Sequence, residues 1–251
     1  MDSTIIEENG FKYVEEGEGK VLLLLHGLFG ALSNFTDLIN HFKTNYKVVI
    51  PILPLYELPL KKTSVPDLVN HVEQFVAHKG YDKVNLIGNS LGGHVGLLFA
   101  LANLEQIESI TLTGSSGLFE NSLGNSFPKR GNYDYIKTKT EATFYDPKTA
   151  TKELVDEVFA IVQDNMKVLR ILSMARSAIR QNLRDKIGDI TAPTLLIWGM
   201  NDTITPPFVG EEFDRLMPNS TLHLVDKCGH APMMEQPELF NKYLEEFLIK
   251  L

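Results

Sequence analysis

The 251-residue sequence holds a single cysteine, Cys228, which excludes an intrachain disulfide and any need for an oxidising compartment. Basic residues are in deficit: 24 Lys and Arg stand against 32 Asp and Glu, a formal charge of −8. Phosphate backbones are held by clustered cations, so nucleic acid is not expected as a partner. Long apolar runs are missing too. Val21 to Leu25 is followed at once by His26, whereas a bilayer span needs roughly 20 apolar residues, so no membrane insertion is expected. Met1 to Gly10 is polar and acidic and lacks the basic and apolar regions of a secretory signal, so a cytoplasmic protein is expected. His-Glu-x-x-His, Gly-x-Gly-x-x-Gly and P-loop patterns are absent, and no cofactor or metal is expected. Nothing in the pattern speaks to oligomeric state.

What is present is a rhythm of short apolar runs. Thr4 to Glu8 and Phe11 to Glu15 alternate around Asn9-Gly10, the signature of a hairpin. Val21 to Leu25, Tyr46 to Ile50, Val84 to Ile87, Ile107 to Leu112 and Thr194 to Trp198 are continuous rather than alternating, which suits strands buried on both faces. Thr221 to Val225 reads as the last strand. Helical spacing lies between them, over Phe35 to Phe42, Pro66 to His78, Leu91 to Ala102 and Pro237 to Leu248. The order predicts an α/β fold: a mostly parallel eight-stranded sheet with helices on both faces. Between residues 118 and 190 the rhythm breaks. A polar loop from Glu120 to Tyr133 precedes charged helical segments from Lys148 to Leu183, and the span reads as a helical lid inserted into a core of residues 1–117 and 191–251.

The chemistry begins at Gly88-Asn-Ser90-Leu-Gly92, placed after a buried strand and before an apolar helix. The bare Gly-x-Ser-x-Gly pattern arises by chance in roughly one chain in ten of this length. Its context is more specific. A serine lifted on a tight strand-to-helix turn is strained, and side chains two residues on either side would collide, which Gly88 and Gly92 avoid. The helix from Leu91 then points its amides at the reaction centre. A serine nucleophile needs a base, and the base an acid. Asp202 follows the strand ending at Trp198, and His230 follows the last strand, both at the sheet edge where ligands gather in open α/β sheets.

Ser90, Asp202 and His230, in that chain order and each after its expected strand, resemble the nucleophile, acid and histidine of the α/β-hydrolase superfamily. The resemblance runs from His26-Gly27 to the last helix. It implies that the loop His26-Gly-Leu28-Phe29-Gly30 supplies a backbone oxyanion donor, taken as Leu28 with Phe29 as the alternative, paired with the amide of Leu91. It also ranks Asp226, four residues before His230, below Asp202 as the acid. Cys228 and His94 are expected to pack, and His26 to brace its loop.

Gly88 to His94, Ser33-Asn34-Phe35 and Arg176 further resemble the carbon–carbon bond hydrolases of meta-cleavage pathways. Candidate substrate-binding residues are accordingly Phe29, Asn34, Asn89 and Arg176. Two features depart from that group: Ala231 follows His230, and the oxyanion loop is short. A further departure, from many relatives in the superfamily, is that Pro51 to Leu60 replaces a polar, glycine-containing loop, which suggests either an apolar pocket wall or a compact loop away from ligand. Arg176, Arg180 and Arg184 share one helical face if the helix continues, either solvated or reaching a substrate carboxylate. The expected function is hydrolysis of carboxylic esters with small or medium apolar acyl groups, acting on a small-molecule substrate. The alternatives are carbon–carbon bond hydrolysis and, from another class, a small-molecule receptor with an idle triad.

Overall fold

The computed structural model describes residues 4–30, 32–120 and 129–251. Of the loop expected from Glu120 to Tyr133, residues 121–128 lie outside the described residues.

Eight strands form one sheet in the order β1-β2-β4-β3-β5-β6-β7-β8. β1 (Ile6–Glu8) and β2 (Phe11–Glu16) make an antiparallel hairpin, and β2 runs antiparallel to β4 (Lys47–Pro51). The remaining strands are parallel: β3 (Val21–Leu25), β4, β5 (Val84–Asn89), β6 (Ile107–Thr113), β7 (Thr194–Gly199) and β8 (Ser220–Val225). In β3, Leu23 and Leu25 enter one core while Leu22 and Leu24 enter the other. A period of two with apolar residues on both faces is what a continuous leucine run provides, and it buries every residue of the strand.

The helices divide accordingly. α1 (Thr36–Phe42) packs Leu38, Ile39 and Phe42 on one face of the sheet. α2 (Val65–Lys79) and α3 (Leu91–Ala102) cover the other, with Leu68, Val72, Phe75, Val95 and Phe99. α2 starts at a Ser64 cap with Pro66 in its first turn, and stops at Gly80 in the left-handed region, φ 66°.

Between β6 and β7 lie α4 (Tyr133–Glu141), α5 (Lys152–Gln163) and α6 (Asn165–Arg180), with no strand among the described residues. α4 falls where the sequence suggested no helix, because its turns offer little apolar surface: only Ile136 and Thr140 are buried. α7 (Pro207–Leu216) also escapes the sequence reading, since Pro206-Pro207 reads as loop yet Pro207 opens the helix. α8 (Pro232–Glu235) and α9 (Pro237–Leu248) close the chain. No helix among the described residues is long and apolar enough to cross a membrane.

After β3 the chain moves to β4 on one side, then returns to β5 on the other. The carboxyl ends of β3 and β5 therefore flank the point where strand order reverses, the place a ligand crevice opens in such sheets.

Candidate active site

Ser90 sits between β5 and α3 with φ 53° and ψ −121°, a conformation costing about 1–3 kcal/mol in a non-glycine residue. The surrounding structure holds it there. Its N–H donates to Thr113 O at 3.1 Å, and its carbonyl accepts from the amides of Gly93, His94 and Ser116 at 3.1–3.3 Å. The flanking glycines are required by contact: a Cβ on Gly92 would lie 2.0 Å from Leu25 O, and one on Gly88 2.5 Å from Gly93 Cα. The turn is thus pressed against the end of β3 and against its own helix.

Asp202 and His230, expected from the chain order to act together, are in contact. His230 Nδ1–H donates to Asp202 Oδ2 at 2.9 Å, with the carboxylate buried. Asp202 is oriented by three further donors: Ile204 N and Thr205 N to Oδ1 at 2.8 and 3.0 Å, and Thr205 Oγ1 to Oδ2 at 2.9 Å. Nδ1 is thereby committed to the carboxylate, which leaves Nε2 to take a proton. Asp226, by contrast, is exposed at the end of β8. No hydrogen bond joins Ser90 Oγ to His230 Nε2 among those between described residues, a looseness common before substrate tightens the site.

Ser90 opens on a cavity of about 40 Å³, walled by Leu28, Leu91, Phe119, Met174, Ala178 and Ile204 together with Ser116, Glu120, Ala175 and Thr205. At 10–15 Å³ per water the volume suits about three waters, or a short acyl chain. Neither the Leu28 nor the Leu91 amide is engaged by another described residue, and both residues line this cavity. The Phe29 ring instead packs against Ile136, Val158 and Val162 of the β6–β7 connection.

The loop after β3 is held from behind. His26 Nδ1–H donates to Gly27 O at 3.0 Å, and Nε2 accepts from Leu53 N at 3.0 Å. Burial lowers the pKa of His26, so the ring stays neutral and can accept that amide. Tyr56 Oη–H donates to Leu28 O at 2.5 Å. Residues 51–60 therefore brace the β3 loop and contribute nothing to the cavity wall, which corrects the expectation of an apolar pocket wall there. His94 packs under the turn and ties α3 to Gln181 O at 2.9 Å; burial lowers its pKa to about 4. Burial raises the Cys228 thiol well above its ordinary range, and it packs beside the histidine loop.

None of the four expected substrate contacts lines the cavity: besides Phe29, Arg176, Asn89 and Asn34 lie elsewhere. Arg176 is exposed; the face α6 turns to the cavity is Met174, Ala175 and Ala178, and Arg176 falls off that face. The helix also ends at Arg180, and Arg184 pairs instead with Glu212, so the three arginines do not share a face. Asn89 spends its amide on Thr113 O (3.1 Å) and His230 O (3.2 Å), joining the serine turn to the histidine loop. Asn34 borders a separate open groove with Ser33, Asp37 and Thr151.

Sequence reasoning missed Thr205, Tyr56, Glu120 and Glu235. Thr205 carried a signal, since a threonine three residues after an aspartate is turn-forming spacing. Glu235 Oε1 accepts Gly229 N at 2.9 Å and Ala231 N at 3.3 Å, while Oε2 accepts Tyr145 N at 2.7 Å. Burial raises its pKa against the opposing pull of those amides.

The sequence profile described as the alpha/beta hydrolase family matches residues 22–243. The chain belongs to that family. This hydrolase is 31% identical to the 2-hydroxy-6-oxononadienedioate/2-hydroxy-6-oxononatrienedioate hydrolase of Comamonas testosteroni, over 93% of this chain and 89% of that one. It is 29% identical to the 2-hydroxy-6-oxo-6-phenylhexa-2,4-dienoate hydrolase of Burkholderia cepacia, over 93% and 89%. Among solved structures it is similar to MGS-MChE2, an alpha/beta hydrolase from a lagoon-sediment metagenome in Morocco, with 42% identity, 98% of both chains covered and a TM-score of 0.82.

Proposed function

We propose that this hydrolase cleaves carboxylic esters with short apolar acyl groups through an acyl-enzyme on Ser90. The observation that carries the reading is a serine held at φ 53° on the wall of a small, mostly apolar cavity. Ser90 Oγ attacks the ester carbonyl as His230 Nε2 takes its proton, and Asp202 stabilises the imidazolium. The amides of Leu28 and Leu91 receive the oxyanion. His230 then protonates the leaving alkoxide, and water attacks the acyl-enzyme by the same route. The span 118–190 serves as a lid, with Phe29 linking the oxyanion loop to its small core.

Purified protein assayed on nitrophenyl esters from acetate to octanoate is expected to turn over the shortest fastest, with activity lost in Ser90→Ala. No turnover on any of them defeats the reading.

A second reading is carbon–carbon bond hydrolysis of a vinylogous diketone, favoured by the names of the relatives matched over nine-tenths of the chain. Those names describe carboxylates, and among the described residues the cavity is lined by one acid and no arginine or lysine. Turnover of such a diketone above that of every ester would promote this second reading.

A further inference from the structure

Glu120 is an acid inside the cavity that Ser90 opens on, with 9% of its surface exposed. Its only partner among the described residues is the amide of Gly117, donating to Oε1 at 2.6 Å. Oε2 has no partner among them, and no cation among the described residues pairs with the group. The neighbouring amide, Ser116 N, donates to Ser90 O at 3.2 Å, so the turn that holds Glu120 is fastened directly to the nucleophile turn. The residue is largely withdrawn from water, but Oε2 is not one of the buried atoms left without a partner, so it reaches solvent and stays open to a donor brought by the substrate. The remaining lining offers none placed on it.

We propose that Glu120 is the specificity-determining residue of the cavity: its free oxygen receives a hydrogen-bond donor on the substrate, a hydroxyl or N–H, and repels a substrate carboxylate. The inference rests on Ser90 being the nucleophile. Donor-bearing acyl groups satisfy the unfilled oxygen, whereas a carboxylate meets a like charge in a poorly solvated space. Substrate preference therefore departs from the dienoates and dienedioates for which the matched relatives are named. Burial raises the Glu120 pKa, so the repulsion fades as pH falls and the group protonates.

The test uses three methyl esters of equal chain length, methyl butyrate, methyl 3-hydroxybutyrate and monomethyl succinate, with methanol release as the readout. Glu120→Gln keeps an acceptor for Gly117, and Glu120→Leu removes it. Ratios of kcat/KM cancel any loss common to all three esters. The succinate-to-butyrate ratio is expected to rise at least ~10-fold in both variants, and the hydroxybutyrate-to-butyrate ratio to fall at least ~10-fold in Glu120→Leu, about 1.4 kcal/mol each. In the unaltered protein the succinate-to-butyrate ratio should climb as the pH is lowered, and in Glu120→Gln it should stay flat. That pH arm needs no variant to fold. Ratios unchanged within ~2-fold, with a flat profile in the unaltered protein, overturn the proposal. Fluorophosphonate labelling run alongside separates the two claims: labelled Ser90 with unmoved ratios defeats only the role of Glu120, and unlabelled Ser90 defeats both.

Discussion

Ser90 and His230 are positioned by different kinds of contact. Ser90 is held by what is near it in the sheet: a glycine on either side, the amides of its own helix, and the end of the adjacent strand β6. His230 sits on a loop fastened from the β6–β7 connection. Its amide donates to Thr143 O at 3.0 Å, Tyr145 N reaches Glu235 at a separation of 90 residues, and Thr203 Oγ1 on the acid loop donates to Ala142 O at 3.2 Å. The Ser90 turn is built into the sheet, whereas the His230 loop is clamped by segment 142–145. Displacement of segment 142–145 would remove three contacts from the His230 side of the site and none from Ser90.

The largest effect should come from the acid. Asp202→Asn is expected to lower kcat by about 10⁴-fold, because an amide in that position fixes the wrong imidazole tautomer. Steady-state kinetics on the best ester check it, and a loss under 10-fold would show that Asp202 does not orient the base. Next comes the clamp. In Glu235→Gln, the amide nitrogen that replaces one carboxylate oxygen faces either Tyr145 N or the Gly229 and Ala231 amides, donor against donor. A stability loss of about 1–3 kcal/mol is expected, measured by urea unfolding, with kcat reduced more than KM is changed. Equal stability would break the contrast between the two halves of the site.

Smaller again is Tyr56→Phe, which frees Leu28 O. A loss of about 1 kcal/mol of transition-state stabilisation, a few-fold in kcat/KM, is expected if the Leu28 amide is an oxyanion donor. Arg176→Ala should change kcat/KM on neutral esters by less than 2-fold, since the side chain is exposed away from the cavity. A large loss there would return Arg176 to the substrate.

This contrast also explains what the sequence made legible. Strand periodicity and the Gly-Asn-Ser-Leu-Gly turn act over a few residues, so the sheet, its order of chemistry-bearing loops and the strain at Ser90 were readable. Asp202 was ranked above Asp226 by resemblance and because an Asp at a strand end is usually a turn-former; in the structure Asp202 contacts His230 and Asp226 is exposed. The cavity and the clamp depend on packing between segments far apart in the chain. Glu120, Glu235 and Tyr56 lie in stretches with no periodicity, where a polar side chain gives no sign of its distant partner. Arg176 misled for the converse reason. Its spacing predicted a face, but which face α6 buries is set by Met174, Ala175 and Ala178 against the core and cavity.

The account stands most directly on the reactivity of one oxygen. Peptide mapping by mass spectrometry after fluorophosphonate treatment should find the adduct on Ser90, with labelling slowed in Asp202→Asn and absent in Ser90→Ala. An adduct on another residue, or unchanged labelling in Asp202→Asn, would contradict it.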